Sequence, residues 1–355
     1  MKFVFNISKN ILFIVMISSS SKSQIYNFFV PENQTTIIDS LNYLELQDPN
    51  LALRLAFKIL DKYPIGTKDK TILKVYNIIG QIYLKKGLSI QALQYFIEVQ
   101  RESIRINNPS YWNLINIGNV YYQEKKWLKA EEYFILAYED VIKKIRHEGN
   151  EKRNVMAVSL MNRAMIFKDL KEYEKSYKLM IQALEIRKKP FTGASDKSLG
   201  FSPKFISNEE KFHYGNISYC YLNLMDLYIK WDMLGHASSY GDTCANYLEK
   251  FFRQDYTSTA MHYKKYNGLL IQKKATILAL KNKFGEAISL YERAGLEFEK
   301  WPNYNANNYS MIAYILKDRN NLYGALENLD KGLILCKINN LSIQELELLQ
   351  AKSDI

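Results

Sequence analysis

The chain has 355 residues, of which 47% are hydrophobic and 24% charged, so its composition excludes a disordered or low-complexity protein. The formal net charge is +11, but the lysines are scattered and form no stripe with interleaved aromatics, which argues against nucleic-acid binding. Three widely spaced cysteines, Cys220, Cys244 and Cys336, exclude a disulfide scaffold and a zinc knuckle.

The N-terminal residues 1–23 have the order of regions found in a secretory signal peptide. Lys2 and Lys9 precede an apolar run at 11–17, and small polar residues follow up to Gln24. This run is far shorter than the roughly 20 apolar residues that span a bilayer. The sequence therefore predicts a signal peptide at 1–23 and a protein that acts outside the cytoplasm, in the periplasm or the extracellular space.

Pairs of small residues recur along the rest of the chain. The best-matched stretches are 80–99 and 118–138, which share a glycine, a tyrosine, an alanine and a phenylalanine at identical offsets. These residues are Gly80, Tyr83, Ala92 and Phe96 in the first stretch and Gly118, Tyr121, Ala130 and Phe134 in the second. The same twelve-residue step runs from Ser40 to Ala52, Ala164 to Ser176, Met225 to Ala237 (a degraded copy), Ala275 to Ala287 and Ala313 to Ala325. Such self-similarity indicates a repeat architecture.

Each repeat unit is predicted to be a hairpin of two amphipathic helices of about 12–14 residues, because apolar residues recur at spacings of three and four. Short polar breaks, as at 85–87 and 320–322, separate the two halves. Helices joined by so short a turn pack antiparallel, and a small side chain on each lets their backbones approach. Gly118 is therefore expected to let its helix lie against the helix that carries Ala130. Cys220 and Cys244 would face each other across one hairpin, either bridged or, as we expect, as buried free thiols.

This pattern resembles the tetratricopeptide repeat, in which small and aromatic residues mark two helices in the same order. Seven units are identified, at 33–66, 73–106, 111–144, 157–190, 218–251, 268–301 and 306–338. Their spacing exceeds the family's repeat of about 34 residues, so additional turns are expected in the second helices or in the links between units. The resemblance implies an all-α, right-handed superhelical solenoid whose concave groove is lined by the first helices.

The expected domain organisation is one elongated solenoid at 24–338. Its longest link, at 188–210, is rich in Gly, Ser and Pro and is expected to protrude as a loop. The segment at 339–355 begins like another first helix, which is either a capping helix or the start of a truncated further repeat.

No motif in the sequence indicates catalysis, metal binding or a cofactor. The histidines His147, His213, His236 and His262 each lie apart from other ligand residues. A nucleophile elbow, a phosphate-binding glycine loop and a dinucleotide fingerprint are all absent from the sequence. We therefore expect no catalytic residue, no metal site and no cofactor, and a protein that is not an enzyme.

The candidate binding residues lie on the groove side of the first helices. In the third unit, Asn116, Asn119 and Tyr122 fall on the face opposite the second helix. Asn162 and Asn223 stand two residues before the small-residue marker of their own units, as Asn116 does. An amide carries a donor and an acceptor, so it can hold the backbone of an extended peptide whatever its side chains. The remaining candidates are Asn77, Gln81 and Asp226.

Kinesin light-chain-like tetratricopeptide repeats look similar here, and the resemblance implies that these asparagines form a ladder that holds a peptide. The other interpretation is that an asparagine-rich composition places them on the groove by chance. We expect an exported bacterial scaffold that binds a protein or peptide, without nucleic acid and without a membrane span. The alternatives are the extracytoplasmic sensor arm of a histidine kinase or transcription regulator, truncated at its C terminus, and an assembly factor for surface polysaccharide or outer-membrane machinery.

Overall fold

The computed structural model describes residues 34–63, 69–107, 110–145, 150–189, 212–252, 257–339 and 341–355. Within these ranges the chain forms fifteen α-helices and no strands. The helices are α1 (Gln34–Gln47), α2 (Pro49–Leu60), α3 (Lys70–Lys85), α4 (Ser89–Arg105), α5 (Tyr111–Gln123), α6 (Trp127–Lys144), α7 (Asn150–Asp169), α8 (Tyr173–Lys188), α9 (His213–Lys230), α10 (Leu234–Phe252), α11 (Thr257–Leu280), α12 (Phe284–Glu297), α13 (Pro302–Asp318), α14 (Leu322–Asn339) and α15 (Ser342–Ser353). The predicted signal peptide at 1–23 and nearly all of the predicted loop at 188–210 lie outside the described residues.

The helices pair in chain order, from α1 with α2 to α13 with α14, as seven antiparallel hairpins within the described part of the chain. Each second helix also packs against the first helix of the next hairpin, and α15 packs against α14 and α13. This arrangement confirms the all-α solenoid of stacked helix hairpins that the sequence predicts. Among the described helices, none combines the length and the apolar character needed to cross a membrane.

The turn inside a hairpin has the same form in six of the seven units. At each turn one residue adopts a positive φ, and these residues are Gly87, Lys125, Lys171, Asp232, Asn282 and Asn320. In the first of these turns, the Gly87 amide donates to the Leu84 carbonyl at 3.0 Å and the Leu88 amide donates to the Tyr83 carbonyl at 2.9 Å. This Schellman pattern satisfies the last carbonyls of the helix and reverses the chain within a few residues.

Glycine in the first helix makes room for an aromatic ring of the second helix. A Cβ atom at Gly118 would lie 2.5 Å from Cε1 of Phe134, and one at Gly80 would lie 2.6 Å from Cε1 of Phe96. Phe134 and Phe96 are both fully buried. Gly118 therefore does let its helix lie against the helix of Ala130, and the group that needs the space is the Phe134 ring one turn further along.

Ten of the fifteen described helices are longer than the predicted 12–14 residues, and part of the additional length lies in the first helices. Helix α7 begins at Asn150 and α11 at Thr257, whereas the repeat alignment predicts starts at 157 and 268. The predicted extension of second helices is present, as in α4 and α6 with 17 and 18 residues, but the prediction missed the extension of the first helices α7 and α11. The physical reason is that the added stretches, 150–156 and 257–267, contain neither proline nor glycine, so nothing in them interrupts a helix.

The three cysteines are buried free thiols. Cys244 donates a weak hydrogen bond from Sγ to the Ser218 carbonyl at 3.5 Å. Burial raises the pKa of the Cys244 thiol to about 12 and that of Cys220 to about 11. They are therefore protonated at neutral pH and act as small apolar residues.

Candidate functional site

The predicted binding residues lie on four consecutive first helices. Asn77 and Gln81 belong to α3, and Asn162 belongs to α7. The other positions are Asn116, Asn119 and Tyr122 on α5, and Asn223 and Asp226 on α9. We call the surface that the first helices form together the first-helix surface. Its helices are α3, α5, α7, α9, α11 and α13.

Two asparagine pairs join successive hairpins across the first-helix surface. Nδ2 of Asn116 donates to Oδ1 of Asn77 at 2.7 Å, which links α3 to α5. Nδ2 of Asn162 donates to Oδ1 of Asn119 at 2.9 Å, which links α5 to α7. All four side chains are half-buried. Because each amide has two donor hydrogens and one acceptor oxygen, each pair retains donors on both residues and an acceptor on its donating residue.

A cleft of about 410 Å³ surrounds the first of these pairs. Its walls include Gln81 beside Asn77 and Asn116, together with the indole of Trp112. The charged residues that line the same cleft are Lys70, Lys74 and Glu151. The volume lies within the range of ligand sites, and the amides and charged groups beside an aromatic ring can orient a ligand.

Asn223 does not continue the ladder that the sequence predicts. Its Nδ2 donates to the Tyr219 carbonyl of its own helix at 2.7 Å, and the residue is only 6% exposed. The physical reason is that α9 is enclosed by α8, α10 and α11, so the position that is half-exposed in α5 is covered in α9. The asparagine ladder is therefore limited, within the described residues, to the two pairs on α3, α5 and α7.

Asp226 forms the centre of an ion network that crosses three first helices. Its Oδ2 lies 2.5 Å from Nζ of Lys168 on α7, and its Oδ1 lies 2.5 Å from Nζ of Lys273 on α11. Burial alone would raise the pKa of Asp226, but the two ammonium groups outweigh it and hold that pKa well below the usual range. Asp226 is therefore a structural counter-ion rather than a free polar group.

Tyr122 extends the polar contacts on the same surface. Its hydroxyl donates to Oδ2 of Asp169 on α7 at 2.5 Å. Burial and this hydrogen bond to a carboxylate raise the pKa of Tyr122 far above its usual value, so the phenol remains a donor. Tyr122 thus links α5 to α7 beside the Asn119–Asn162 pair.

Two buried asparagines that sequence analysis missed hold successive hairpins together. Nδ2 of Asn113 donates to the Phe96 carbonyl at 2.9 Å, and Nδ2 of Asn308 donates to the Tyr291 carbonyl at 3.1 Å. Asn308 also accepts a 2.7 Å hydrogen bond from Gln272 on α11. Both asparagines stand five residues before the small-residue marker of their unit, a shared offset that could have identified them.

Comparison with known proteins supports the fold. No protein-family model matches the chain, and no curated protein sequence matches it. A solved structure of a Rap protein complexed with Competence and Sporulation Factor matches with a TM-score of 0.53 at 14% identity, over 91% of this chain and 88% of that chain. NprR in complex with its cognate peptide NprX matches with a TM-score of 0.50 at 13% identity, over 90% of this chain and 82% of that chain. These similarities show a solenoid of tetratricopeptide-repeat type.

Proposed function

We propose that the protein is a non-enzymatic scaffold that holds an extended peptide, or an extended segment of a protein, on the first-helix surface. The observation that carries this proposal is the arrangement of the two asparagine pairs, Asn77–Asn116 and Asn119–Asn162. They place amide groups on three successive first helices, α3, α5 and α7. A cleft beside the first pair has room for a ligand. Of the solved structures reported above, NprR holds its cognate peptide, which supports the same class of ligand.

The hydrogen-bonding capacity of the pairs fits a peptide backbone. A peptide unit offers one N–H donor and one C=O acceptor, and each asparagine pair retains both kinds of group. Successive pairs lie on successive hairpins. An extended peptide that crosses these hairpins would therefore find an asparagine amide on each of their first helices. Recognition through the backbone tolerates many side chains, as expected for a binding scaffold.

The surroundings of the pairs favour binding rather than chemistry. Beside the Asn119–Asn162 pair, Tyr122 donates a hydrogen bond to Asp169, and Asp226 on the next first helix is held in two ion pairs. Among the residues that the structure describes, no group of three or more His, Cys, Asp or Glu side chains is arranged to hold a metal. The first-helix surface is therefore better suited to holding a ligand than to activating one.

Removal of the four asparagines should weaken peptide binding strongly without unfolding the protein. We expect the variant Asn77→Ala/Asn116→Ala/Asn119→Ala/Asn162→Ala to bind at least about tenfold more weakly, since each backbone hydrogen bond contributes about 1 kcal/mol. Both partners of each pair are removed together, which leaves no orphaned amide and keeps the loss of stability small. The probe is the tightest peptide selected by the whole chain from a random twelve-residue library, measured by fluorescence anisotropy.

A matched control lies on a second helix. In α14 the side chains of Asn328 and Asn339 donate to carbonyls of their own helix, at 2.8 Å each. The variant Asn328→Ala/Asn339→Ala should bind the selected peptide with unchanged affinity. The proposal is wrong if the library yields no binder, or if the four-alanine variant binds as tightly as this control.

We also propose that the protein acts outside the cytoplasm. The support is the order of basic, apolar and small polar regions in residues 1–23. N-terminal sequencing of the protein recovered from its own cells should therefore begin close to Gln24. Recovery of a chain that begins at Met1 or Lys2 would contradict export through a cleaved signal peptide.

A further inference from the structure

Two cations and three tyrosines form a cluster next to the Asp226 network. We call it the cation–tyrosine cluster, and its members are Arg187 at the end of α8, Tyr219 on α9, Lys265 and Tyr266 on α11, and Tyr304 on α13. The rings of Tyr219 and Tyr266 have centroids 5.7 Å apart. Nζ of Lys265 lies 5.4 Å from the centroid of the Tyr304 ring, which is a cation–π distance. Four hairpins therefore contribute to one polar and aromatic cluster.

Neither cation of the cluster has a carboxylate partner among the described residues. Arg187 donates to Oδ1 of Asn154, a neutral amide, and Lys265 lies over the neutral ring of Tyr304. Burial lowers the pKa of both Arg187 and Lys265, so both are partly withdrawn from water. Partly buried charges are normally paired, because an unpaired one loses hydration without compensation.

Further positive charge surrounds the cluster. Lys85 on α3 is paired with Glu45 at 2.6 Å, and its charge adds to burial in lowering the pKa of Lys265 on α11. In the adjacent network, two ammonium groups share the single carboxylate of Asp226. The Asp226 network and the two cations of the cluster together therefore carry more positive than negative charge.

The cluster remains accessible to a ligand. Tyr219 is 42% exposed, so part of its side chain faces solvent. Arg187, Lys265, Tyr266 and Tyr304 are half-buried. A ligand can thus reach the cations and the phenols while being partly shielded from solvent.

We propose that the cation–tyrosine cluster binds a carboxylate group of the captured peptide, with Arg187 and Lys265 as its counter-ions. This inference rests on the proposed function, and it adds a preference for acidic peptides. The guanidinium of Arg187 can donate two parallel hydrogen bonds to a carboxylate, and Lys265 supplies a second positive charge. The hydroxyls of Tyr219, Tyr266 and Tyr304 supply further donors. The asparagine pairs would hold the peptide backbone, while the cluster favours peptides that carry a carboxylate.

The test compares two labelled peptides that differ only in charge. The probes are acetyl-(Ser-Glu)₄-amide and acetyl-(Ser-Gln)₄-amide, titrated against the whole chain by fluorescence anisotropy. We expect the glutamate peptide to bind at least about tenfold more tightly, since hydrogen bonds to charged groups contribute about 1.5–3 kcal/mol. The variant Arg187→Gln/Lys265→Gln should lose this preference. The variant Lys178→Gln/Lys264→Gln, which removes two exposed lysines from α8 and α11, should retain it.

Four outcomes would overturn the inference. The first is equal binding, or absent binding, of the two peptides. The second is an unchanged preference in the single variant Lys265→Gln, which also serves if Arg187→Gln does not fold. The third is an eight-residue oligothymidylate that binds as tightly as the glutamate peptide, since a general preference for polyanions would then explain the result. Binders in the random library without enrichment of acidic residues would overturn this inference alone, whereas the absence of any binder would overturn the proposed function as well.

The same experiment can distinguish a C-terminal carboxylate from the carboxylate of an acidic side chain. The peptide acetyl-(Ser-Gln)₄ with a free C-terminal acid carries one carboxylate, at its end. If it binds as tightly as the glutamate peptide, the cluster also accepts a chain terminus. If it binds like the amide, the cluster holds acidic side chains. Either result supports the proposal, provided that Arg187→Gln/Lys265→Gln abolishes the preference for the carboxylate.

Discussion

The Asp226→Asn variant is expected to lose about 3 kcal/mol in free energy of unfolding, since removing one partner of a buried ion network leaves the other charges uncompensated. Two ammonium groups would remain, those of Lys168 and Lys273, whose side chains are only 7% and 19% exposed. The network connects α7, α9 and α11, so its loss would also weaken the contacts between three hairpins. Urea unfolding at neutral pH measures the change.

A comparison with a second variant identifies the cause. The variant Lys273→Met leaves Asp226 paired with Lys168, so it should lose clearly less stability than Asp226→Asn. Because the folded-state pKa of Asp226 is depressed below its ordinary value of 3.8, its contribution to stability is present above pH 3.8 and is lost as the pH falls further. Asp226→Asn should therefore have a weaker loss of stability between about pH 4 and pH 2 than the wild type. Equal destabilisation by both variants would contradict the account of this network.

The second large effect is expected at the contact between Gly118 and Phe134. Replacing Phe134 by alanine should lower the free energy of unfolding by about 3–5 kcal/mol, because a fully buried ring leaves a cavity. Gly118→Ala should be destabilising by about 1–3 kcal/mol, although alanine is the better helix former, because its Cβ would lie 2.5 Å from the ring. Thermal or urea unfolding measures both changes.

Two further variants separate crowding from helix propensity. In a chain that carries Phe134→Leu, the change Gly118→Ala should be nearly neutral, since the smaller side chain leaves room for the new methyl group. Gly285 lies in α12 with no atom within 4 Å of its added Cβ, so Gly285→Ala should be neutral or stabilising. If Gly118→Ala is equally destabilising in the wild-type chain and in the chain that carries Phe134→Leu, the ring is not the reason for the glycine.

The hairpins could be predicted from the sequence because their determinants are local. The residue with positive φ in the turn lies seven residues after the first small residue, as Gly87 follows Gly80 and Lys125 follows Gly118. The residues that determine the turn and the close helix contact therefore lie within one short stretch of sequence. The early starts of α7 and α11 could not be predicted, because the repeat alignment contains no signal for where a helix without glycine or proline begins.

The candidate site could be predicted only in part. Positions such as Asn116 and Asn162 follow from the face of the first helix, but their hydrogen-bond partners depend on how far each hairpin is shifted along the next. Neither the hydrogen bond of Asn116 with Asn77 nor the enclosure of Asn223 by α8, α10 and α11 follows from spacing within a unit. The cation–tyrosine cluster is a clearer case, since its five residues come from four hairpins and are scattered between positions 187 and 304 of the sequence.

The most direct test of the central claim is to locate a bound peptide on the solenoid. The tightest peptide from the random library, carrying a benzophenone group, is irradiated in complex with the whole chain, and the attachment sites are identified by mass spectrometry. We predict cross-links on the first helices α3, α5, α7 and α9, close to the asparagine pairs. Cross-links confined to the second helices α4, α6, α8 and α10 would contradict the proposal that the first-helix surface holds the ligand.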